Sequence, residues 1–119
     1  MALAPYIPAV PETRPEAAVA LDVISLFLQR VEASAGATAL RYEDAAGWHD
    51  LSWTRWAERS RRVADALIAL GVQHGEVVAI VSRSRPEWVV AEMGAMMAGA
   101  ATASVYESHL AAGCAEQLA

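Results

Sequence analysis

The chain has 119 residues, of which 55% are hydrophobic and 19% are charged, and it carries a formal net charge of -5 at pH 7. This length and apolar content allow one compact domain with a core, but not two domains of ordinary size. The acidic balance disfavours nucleic acids and anionic lipid surfaces as partners, because the average field of the protein repels phosphate groups.

The first 19 residues are rich in proline and alanine and show no sustained hydrophobic period. We expect residues 1–19 to form an extended, proline-rich arm rather than a signal peptide, because no basic residue precedes Arg14. The pattern changes at Leu21. Asp22 can cap a helix whose apolar side chains return at steps of three and four residues, and which ends near Gly36.

A hairpin and a long helix are predicted next. Residues 38–42 and 48–53 form two short strands around a turn at residues 44–47. Ser52 or Thr54 then begins the clearest helix of the chain, which ends at Gly71. Helical spacing turns one set of side chains toward the core and another toward solvent. The core set is Trp56, Val63, Leu67 and Leu70, and the solvated set is Arg55, Arg59 and Arg62.

A strand, a helix and a second strand follow with short links. Val77–Val81 is short, continuous and mostly β-branched, which is typical of a strand covered on both faces. Pro86 suits the first turn of a helix that extends to Ala98 and stops at Gly99. We predict that Ala101–Val105 returns as the parallel neighbour of the first strand, with the helix packed across both strands.

The charged side chains of the long helix favour a solvated surface over an anion-binding site. Four arginines occupy positions 55, 59, 61 and 62. Glu58 with Arg62, and Arg61 with Asp65, are spaced four residues apart and can pair along the helix. The glycines at positions 71 and 75 precede a strand, whereas a phosphate-binding loop follows a strand and opens a helix.

No residue stands out as a metal ligand or a nucleophile. His49, His74 and His109 are far apart in sequence, and no two share a predicted element at metal-binding spacing. Ser82 and Ser84 lack the Gly-x-Ser-x-Gly elbow of serine hydrolases. All nine basic residues are arginine, so the chain has no lysine for a phosphate loop, a Schiff base or an acyl carboxylate.

The apolar and sulfur-containing side chains indicate structure rather than chemistry. Met93, Met96 and Met97 with Trp88 could form a lipid-binding stripe, but the same helical spacing is typical of a core, which we prefer. Cys114 is the only cysteine and has no adjacent base or cation, which excludes an intramolecular disulfide and fits a reducing cytoplasm. The apolar stretch after Glu92 is too short for a transmembrane segment. We therefore predict no catalytic, cofactor-binding or metal-binding residue in this chain.

Several blocks of the sequence, in order, resemble the opening of AMP-forming long-chain acyl-CoA synthetases. The blocks are residues 47–53 (GWHDLSW), 66–75 (ALIALGVQHG), 78–82 (VAIVS), 85–88 (RPEW), 94, 99–102 (GAAT) and 106–108 (YES). The likeness covers residues 20–108, although related adenylate-forming ligases share much of it. Two features depart from the family pattern: Ser104 stands where proline is usual, and the triplet at residues 115–117 comes late. We therefore expect residues 109–119 to be a divergent or truncated tail.

The resemblance implies an α/β fold, namely a partial N-terminal domain of the adenylate-forming ligases with an N-terminal helix, a β-hairpin and a βαβ parallel-sheet unit. In the family a fatty-acid carboxylate attacks ATP to give an acyl-adenylate and pyrophosphate, and coenzyme A then displaces AMP to form the thioester. The full-length enzymes use ATP, Mg and coenzyme A through a phosphate loop, a metal-binding carboxylate and a catalytic lysine. None of these can be assigned to a residue of this chain, so the resemblance implies a scaffold portion that is not competent alone.

Two further interpretations stay open at the level of sequence. The chain could be a standalone protein-interaction module, whose sheet edge and Met/Trp face dock onto a partner protein, or a decayed gene fragment. Under the ligase interpretation, the partner is the remainder of the enzyme.

Overall fold

The structure of the protein, a computed structural model, describes residues 22–108 and 111–119. Its elements are, in chain order, α1 (Val23–Ser34), β1 (Thr38–Asp44), β2 (Gly47–Ser52), α2 (Trp53–Ala69), β3 (Val77–Val81), α3 (Pro86–Met97), β4 (Ala101–Val105) and α4 (Ala111–Leu118). The predicted α/β class, with its N-terminal helix, hairpin and parallel βαβ unit, is confirmed. The proline-rich arm predicted for residues 1–19 lies outside the described residues.

The helices begin and end where capping residues stand in the sequence. The Asp22 side chain accepts a hydrogen bond of 2.6 Å from the backbone N–H of Ser25, which starts α1. The Ser52 hydroxyl accepts the equivalent bond at the start of α2. Gly71 ends α2 with a positive φ of 94°, a conformation that glycine adopts without strain. These local signals explain why the predicted helix boundaries are confirmed.

The four strands form two separate two-stranded sheets. β1 and β2 pair antiparallel, so that Asp44 lies opposite Gly47 across a tight turn. β3 and β4 pair parallel, with Val77 opposite Ala101 at one end and Val81 opposite Val105 at the other. Helix α3 connects these two strands and contacts both of them. The predicted parallel pair with a helix across it is therefore confirmed.

The core is built from α1, α2 and α3. Phe27, Ala57 and Met93 are buried at its centre, and Met96 and Met97 pack against them. Trp56 meets the Phe27 ring edge-on at a centroid distance of 5.0 Å, an arrangement that aromatic pairs favour. The interpretation of the methionines as core residues is confirmed.

Helices α2 and α3 approach each other closely at a glycine. A Cβ atom added at Gly94 would lie 2.6 Å from the Cβ of Val63 and 2.7 Å from the backbone oxygen of Ser60. Ser60 is fully buried, and its hydroxyl donates a 3.1 Å hydrogen bond to the carbonyl of Val90. The Trp56 indole N–H donates to the carbonyl of Val89 at 3.3 Å. Two side chains of α2 thus tie it to the backbone of α3.

The core-facing side of α2 differs from the prediction in one respect. Leu70 is 82% exposed, so its assignment to the core is wrong. It is the C-cap residue, beyond the last turn of α2. The buried residues of α2 are small, namely Ala57, Ser60 and Ala64, and α3 approaches α2 closely at Ser60, where Gly94 faces it. The predicted exposure of Arg55, Arg59 and Arg62 is confirmed.

Strand β3 is not covered on both faces, which corrects the prediction from its β-branched run. Ile80 is buried, whereas Val77 is 63% exposed and Val81 is 57% exposed. The burial therefore alternates along the strand, as it does when only one face is packed. Ile80 is the buried residue of β3, and Val77 and Val81 stay exposed among the described residues.

The C-terminal residues 111–118, which the sequence assigned to a divergent or truncated tail, form helix α4. The side-chain amide of Gln117 donates a 2.6 Å hydrogen bond to the backbone carbonyl of Ser104, so α4 lies beside β4. No helix within residues 22–108 or 111–119 is long and apolar enough to cross a membrane.

Candidate functional site

A cleft of about 530 Å³ lies at the carboxyl ends of β3 and β4. Residues 82–84 leave β3 there and residues 106–108 leave β4, because parallel strands end at the same edge of their sheet. Open α/β sheets bind their ligands at this edge. The cleft is thus the best candidate for a functional site in the described part of the chain.

The lining of the cleft combines hydroxyl groups with one cation, one carboxylate and two large aromatic side chains. The aromatic side chains are Trp88 and Tyr106, the cation is Arg83, the carboxylate is Glu107, and the serine hydroxyls come from Ser82, Ser84, Ser104 and Ser108. Trp88 is half-buried in the first turns of α3 and so has a fixed place beside the cleft. Its location differs from the sequence interpretation, which grouped Trp88 with the core methionines.

Arg83 is the arginine of this region that is open to a ligand. Its neighbour Arg85 donates from Nε to the Glu87 carboxylate at 2.8 Å. That bond raises the pKa of Arg85 and lowers the pKa of Glu87, so both groups are held in their charged, mutually paired forms. Arg83 is exposed and forms no ion pair with a described residue. A guanidinium group among hydroxyls can bind an anionic group such as a carboxylate or phosphate.

The residues described do not fit the magnesium ion that the enzymes of the resembled family use. No group of three His, Cys, Asp or Glu side chains within residues 22–108 and 111–119 could hold a metal ion. Two acidic side chains of the hairpin are already paired with basic side chains. Arg41 holds Asp50 at 2.7 Å and lowers its pKa, and His49 holds Asp44 at 2.8 Å and lowers its pKa. No chemical step through a metal is derived for this chain.

The three histidines singled out in the sequence occupy different places. His49 lies in the hairpin, where its ring also stacks on Tyr42 at a centroid distance of 5.2 Å. His74 lies in the turn before β3, with its ring against Gly99. His109 lies outside the described residues. Neither His49 nor His74 lines the cleft.

The arginine surface of α2 is solvated, as predicted, but its ion pairs are different. Neither Glu58 with Arg62 nor Arg61 with Asp65 forms an ion pair in the described chain. Glu58 instead pairs with Arg55 at 3.5 Å, one turn earlier. Exposed ion pairs between residues three and four positions apart stabilise a helix by similar free energies. Helical spacing alone therefore does not decide which pair forms.

From the sequence, no binding residue is predicted in this chain and the cleft is not identified. Ser82 and Ser84 lack the nucleophile elbow of serine hydrolases, so the pattern of residues gave them no catalytic role. The available signal was topological. Once β3 and β4 are assigned as parallel neighbours, the residues that follow both strands must meet at one edge. Cys114, in contrast, lies half-buried on α4 and does not line the cleft.

Comparison with known families gives a match to the AMP-binding enzymes over residues 27–119. A rat relative, the long-chain-fatty-acid–CoA ligase ACSBG2, is 31% identical over 94 residues, which cover 79% of this chain and 14% of the rat protein. A fruit-fly relative, the long-chain-fatty-acid–CoA ligase heimdall, is 40% identical over 65 residues, which cover 55% of this chain and 10% of that protein. The chain thus spans a small part of the length of these relatives.

The fold is similar to that of a solved bacterial subdomain. The N-terminal subdomain of Klebsiella oxytoca NpsA superposes with a TM-score of 0.73 and 21% identity, over 81% of this chain and 24% of that one. At this identity the likeness concerns the fold alone.

Proposed function

Because the chain belongs to the AMP-binding enzyme family, we propose that it is the N-terminal scaffold portion of a long-chain fatty-acid–CoA ligase. One observation carries the proposal: the family match, residues 27–119, spans the described structure from within α1 to α4. The rat and fruit-fly relatives that share this region are both named as ligases of long-chain fatty acids. Their activity is the one proposed for the complete enzyme.

In the complete enzyme the reaction proceeds in two steps. The fatty-acid carboxylate displaces pyrophosphate from the α-phosphorus of ATP and forms an acyl-adenylate. The thiol of coenzyme A, on losing its proton, then displaces AMP and forms the acyl thioester. Each step develops negative charge on phosphate or carboxyl oxygens, which requires positioned donors and cations. We place those groups outside this chain, since it has no lysine and no glycine-rich loop between a strand and a helix.

The role proposed for this chain is to hold one wall of the ligand site. Helix α3, tied to α2 through Ser60 and Trp56, fixes the position of β3 and β4. The cleft at their carboxyl ends would then present Arg83 to an anionic group of a substrate, with the neighbouring hydroxyls as further donors. We further propose that residues 20–108 form the family region and that the enzyme is cytoplasmic, as the single cysteine suggests.

The standalone interaction module receives no support from a specific observation. Its docking surface would include the methionine face of α3, but Met93 is buried and Met96 and Met97 pack in the core. The ligase portion is therefore the function that we propose.

The experiment that tests the proposal is a segment exchange. The aligned segment of the rat ligase is replaced by residues 22–119 of this chain, and the chimera is assayed for ATP-dependent formation of palmitoyl-CoA. We expect the chimera to be active and a rat ligase that lacks the segment to be inactive. A chimera that is folded, by circular dichroism and monomer mass, yet inactive would contradict the proposal.

A further inference from the structure

An apolar groove of about 370 Å³ lies between α1 and α2. Ala64, which is 6% exposed, forms its floor, and four larger apolar side chains line it: Ile24, Leu28, Ile68 and Met97. Ile68 is 56% exposed, and Ile24 and Leu28 are half-buried. The described part of the chain therefore leaves apolar surface of the groove facing solvent. We call this feature the α1–α2 groove.

The rim of the α1–α2 groove carries one cation and one anion. Arg61 and Asp65 both line the groove, about one helical turn apart on α2. Both side chains are exposed, and neither forms an ion pair with a residue of the ranges 22–108 and 111–119. An occupant with an acidic and a basic residue next to apolar side chains would complement this groove in charge as well as in polarity.

The sequence of residues 1–21 has this chemistry. Proline recurs at every third position from residue 5 to residue 11. This period favours the polyproline II conformation, which has three residues per turn, so that Ile7 and Val10 fall on one edge. Segments of this kind bind by laying one edge into an apolar groove. The next charged residues along the chain are one acidic and one basic, Glu12 and Arg14.

The place of this segment in the chain also indicates it as the occupant. Residues 1–21 directly precede Asp22, the N-cap of α1, and Ile24 in the groove follows two positions later. Positions 10 and 22 are 12 residues apart and can span up to about 40 Å, whereas the 12 residues of α1 extend over about 18 Å. The segment can therefore reach the whole groove. A short tether gives an effective concentration on the order of 1 mM, so a few apolar contacts suffice for docking.

We propose that the proline-rich segment of residues 5–14 docks in the α1–α2 groove of its own chain. Ile7 and Val10 insert between α1 and α2, and the acidic and basic residues of the segment lie beside the opposite charges at the rim. A second copy is the less suitable occupant, because a stable interface between proteins needs about 800 Å² per partner and not a single groove. The inference does not rest on the proposed function, and it assigns the proline-rich segment the role of covering the helical core.

The first test is an engineered disulfide in the full chain of residues 1–119. In a Cys114→Ser background, cysteine replaces Val10 together with Ile68, or Val10 together with Val81. Val81 is the matched control, because it is 57% exposed, against 56% for Ile68, and does not line the groove. Mild oxidation is followed by mass spectrometry of the unreduced protein.

We expect at least tenfold more internal disulfide in the pair with Ile68 than in the pair with Val81, because the bond forms only between residues in close contact. Equal yields in the two pairs, or no internal disulfide in either, would overturn the inference. A disulfide of the Ile68 pair that joins two copies, detected as a dimeric mass, would assign the groove to a second copy and would also overturn it.

The second test measures the protection of the groove without a cysteine in the segment. In the same background, a water-soluble thiol reagent should label Ile68→Cys at least tenfold more slowly than Val81→Cys. Adding Val10→Asp should bring the two rates within twofold, because docking would bury an unpaired carboxylate. Ala9→Asp, on a neighbouring edge of the polyproline II helix, should keep the protection. Equal rates with the unsubstituted segment, or protection that survives Val10→Asp in protein shown to be folded by circular dichroism, would contradict the inference.

Discussion

Gly94 is the position where a single added carbon should have the largest effect on packing. In the Gly94→Ala variant the new Cβ would meet the Val63 Cβ at 2.6 Å and the Ser60 carbonyl oxygen at 2.7 Å. The second neighbour is backbone and cannot rotate away. Helices α2 and α3 would therefore have to separate by roughly 0.8 Å before these atoms reach ordinary van der Waals distance.

That separation weakens two hydrogen bonds that join the helices. The Ser60 hydroxyl bond to Val90, at 3.1 Å, and the Trp56 indole bond to Val89, at 3.3 Å, would both stretch beyond hydrogen-bonding range. Overpacking costs about 1 to 3 kcal/mol, and each lost bond adds about 1 kcal/mol. Alanine is favoured over glycine within a helix by about 1 kcal/mol, which offsets part of this. The variant should lose about 2 to 4 kcal/mol of stability.

The free energy of unfolding can be measured by urea denaturation with tryptophan fluorescence as the signal. Gly36→Ala is the matched control, because a Cβ at Gly36 meets no atom within 4 Å, and its change should stay within about 0.5 kcal/mol. A Gly94→Ala variant as stable as the unsubstituted chain, or stabilised by the helix preference of alanine, would show that α2 and α3 do not touch at this residue.

Three further results are expected. Phe27→Ala should lower the free energy of unfolding by about 3 to 5 kcal/mol in the same urea experiment. Exposed Leu70→Ala should lower it by under about 0.5 kcal/mol, and equal effects would mean that the core is misassigned. Arg41 lowers the pKa of Asp50, so the stability that this carboxylate contributes should be present above its ordinary pKa of 3.8 and lost as pH falls below it. The stability difference between the unsubstituted chain and Asp50→Asn should therefore shrink between pH 6 and about pH 3, and a constant difference would refute the pair. Arg83→Gln in the chimera should raise the KM of one anionic substrate roughly tenfold, because a lost hydrogen bond to a charged group costs about 1.5 kcal/mol. Unchanged KM values for all substrates would show that Arg83 does not contact a substrate.

Local signals in the sequence were sufficient for the order and ends of the elements. Asp22 and Ser52 cap helices with their own side chains, and Gly71 and Gly99 end helices with positive φ. Pro86 takes the first turn of α3, where its missing N–H costs nothing. Each of these effects acts over a few residues, which is why they can be recognised without knowledge of the tertiary structure.

The errors arose where tertiary contacts decide burial. The buried line of α2 follows its small residues and not Leu70, because the contact with Gly94 brings the backbones close together. The composition of β3 indicates burial on both faces, yet Val77 and Val81 are exposed in the described structure.

The cleft could be predicted only in part. The parallel pairing of β3 and β4, which the sequence does predict, brings together the residues that follow both strands. Arg83 forms no ion pair with a residue of the described ranges, whereas Arg85 pairs with Glu87. This difference depends on side-chain positions that no spacing rule specifies. The ligand chemistry of the cleft therefore follows from the structure and not from the pattern of residues.

The central claim is that this chain is a scaffold portion and does not itself carry the chemistry of fatty-acid activation. The most direct test is a pyrophosphate-release assay of the purified chain with ATP, magnesium and palmitate, with the active rat-ligase chimera assayed in parallel as the positive control. The account predicts release by the chimera and none above the no-protein background by the isolated chain, because the chain has no lysine and no phosphate-binding loop. ATP-dependent release by the isolated chain, lost on substitution of Arg83, would contradict it.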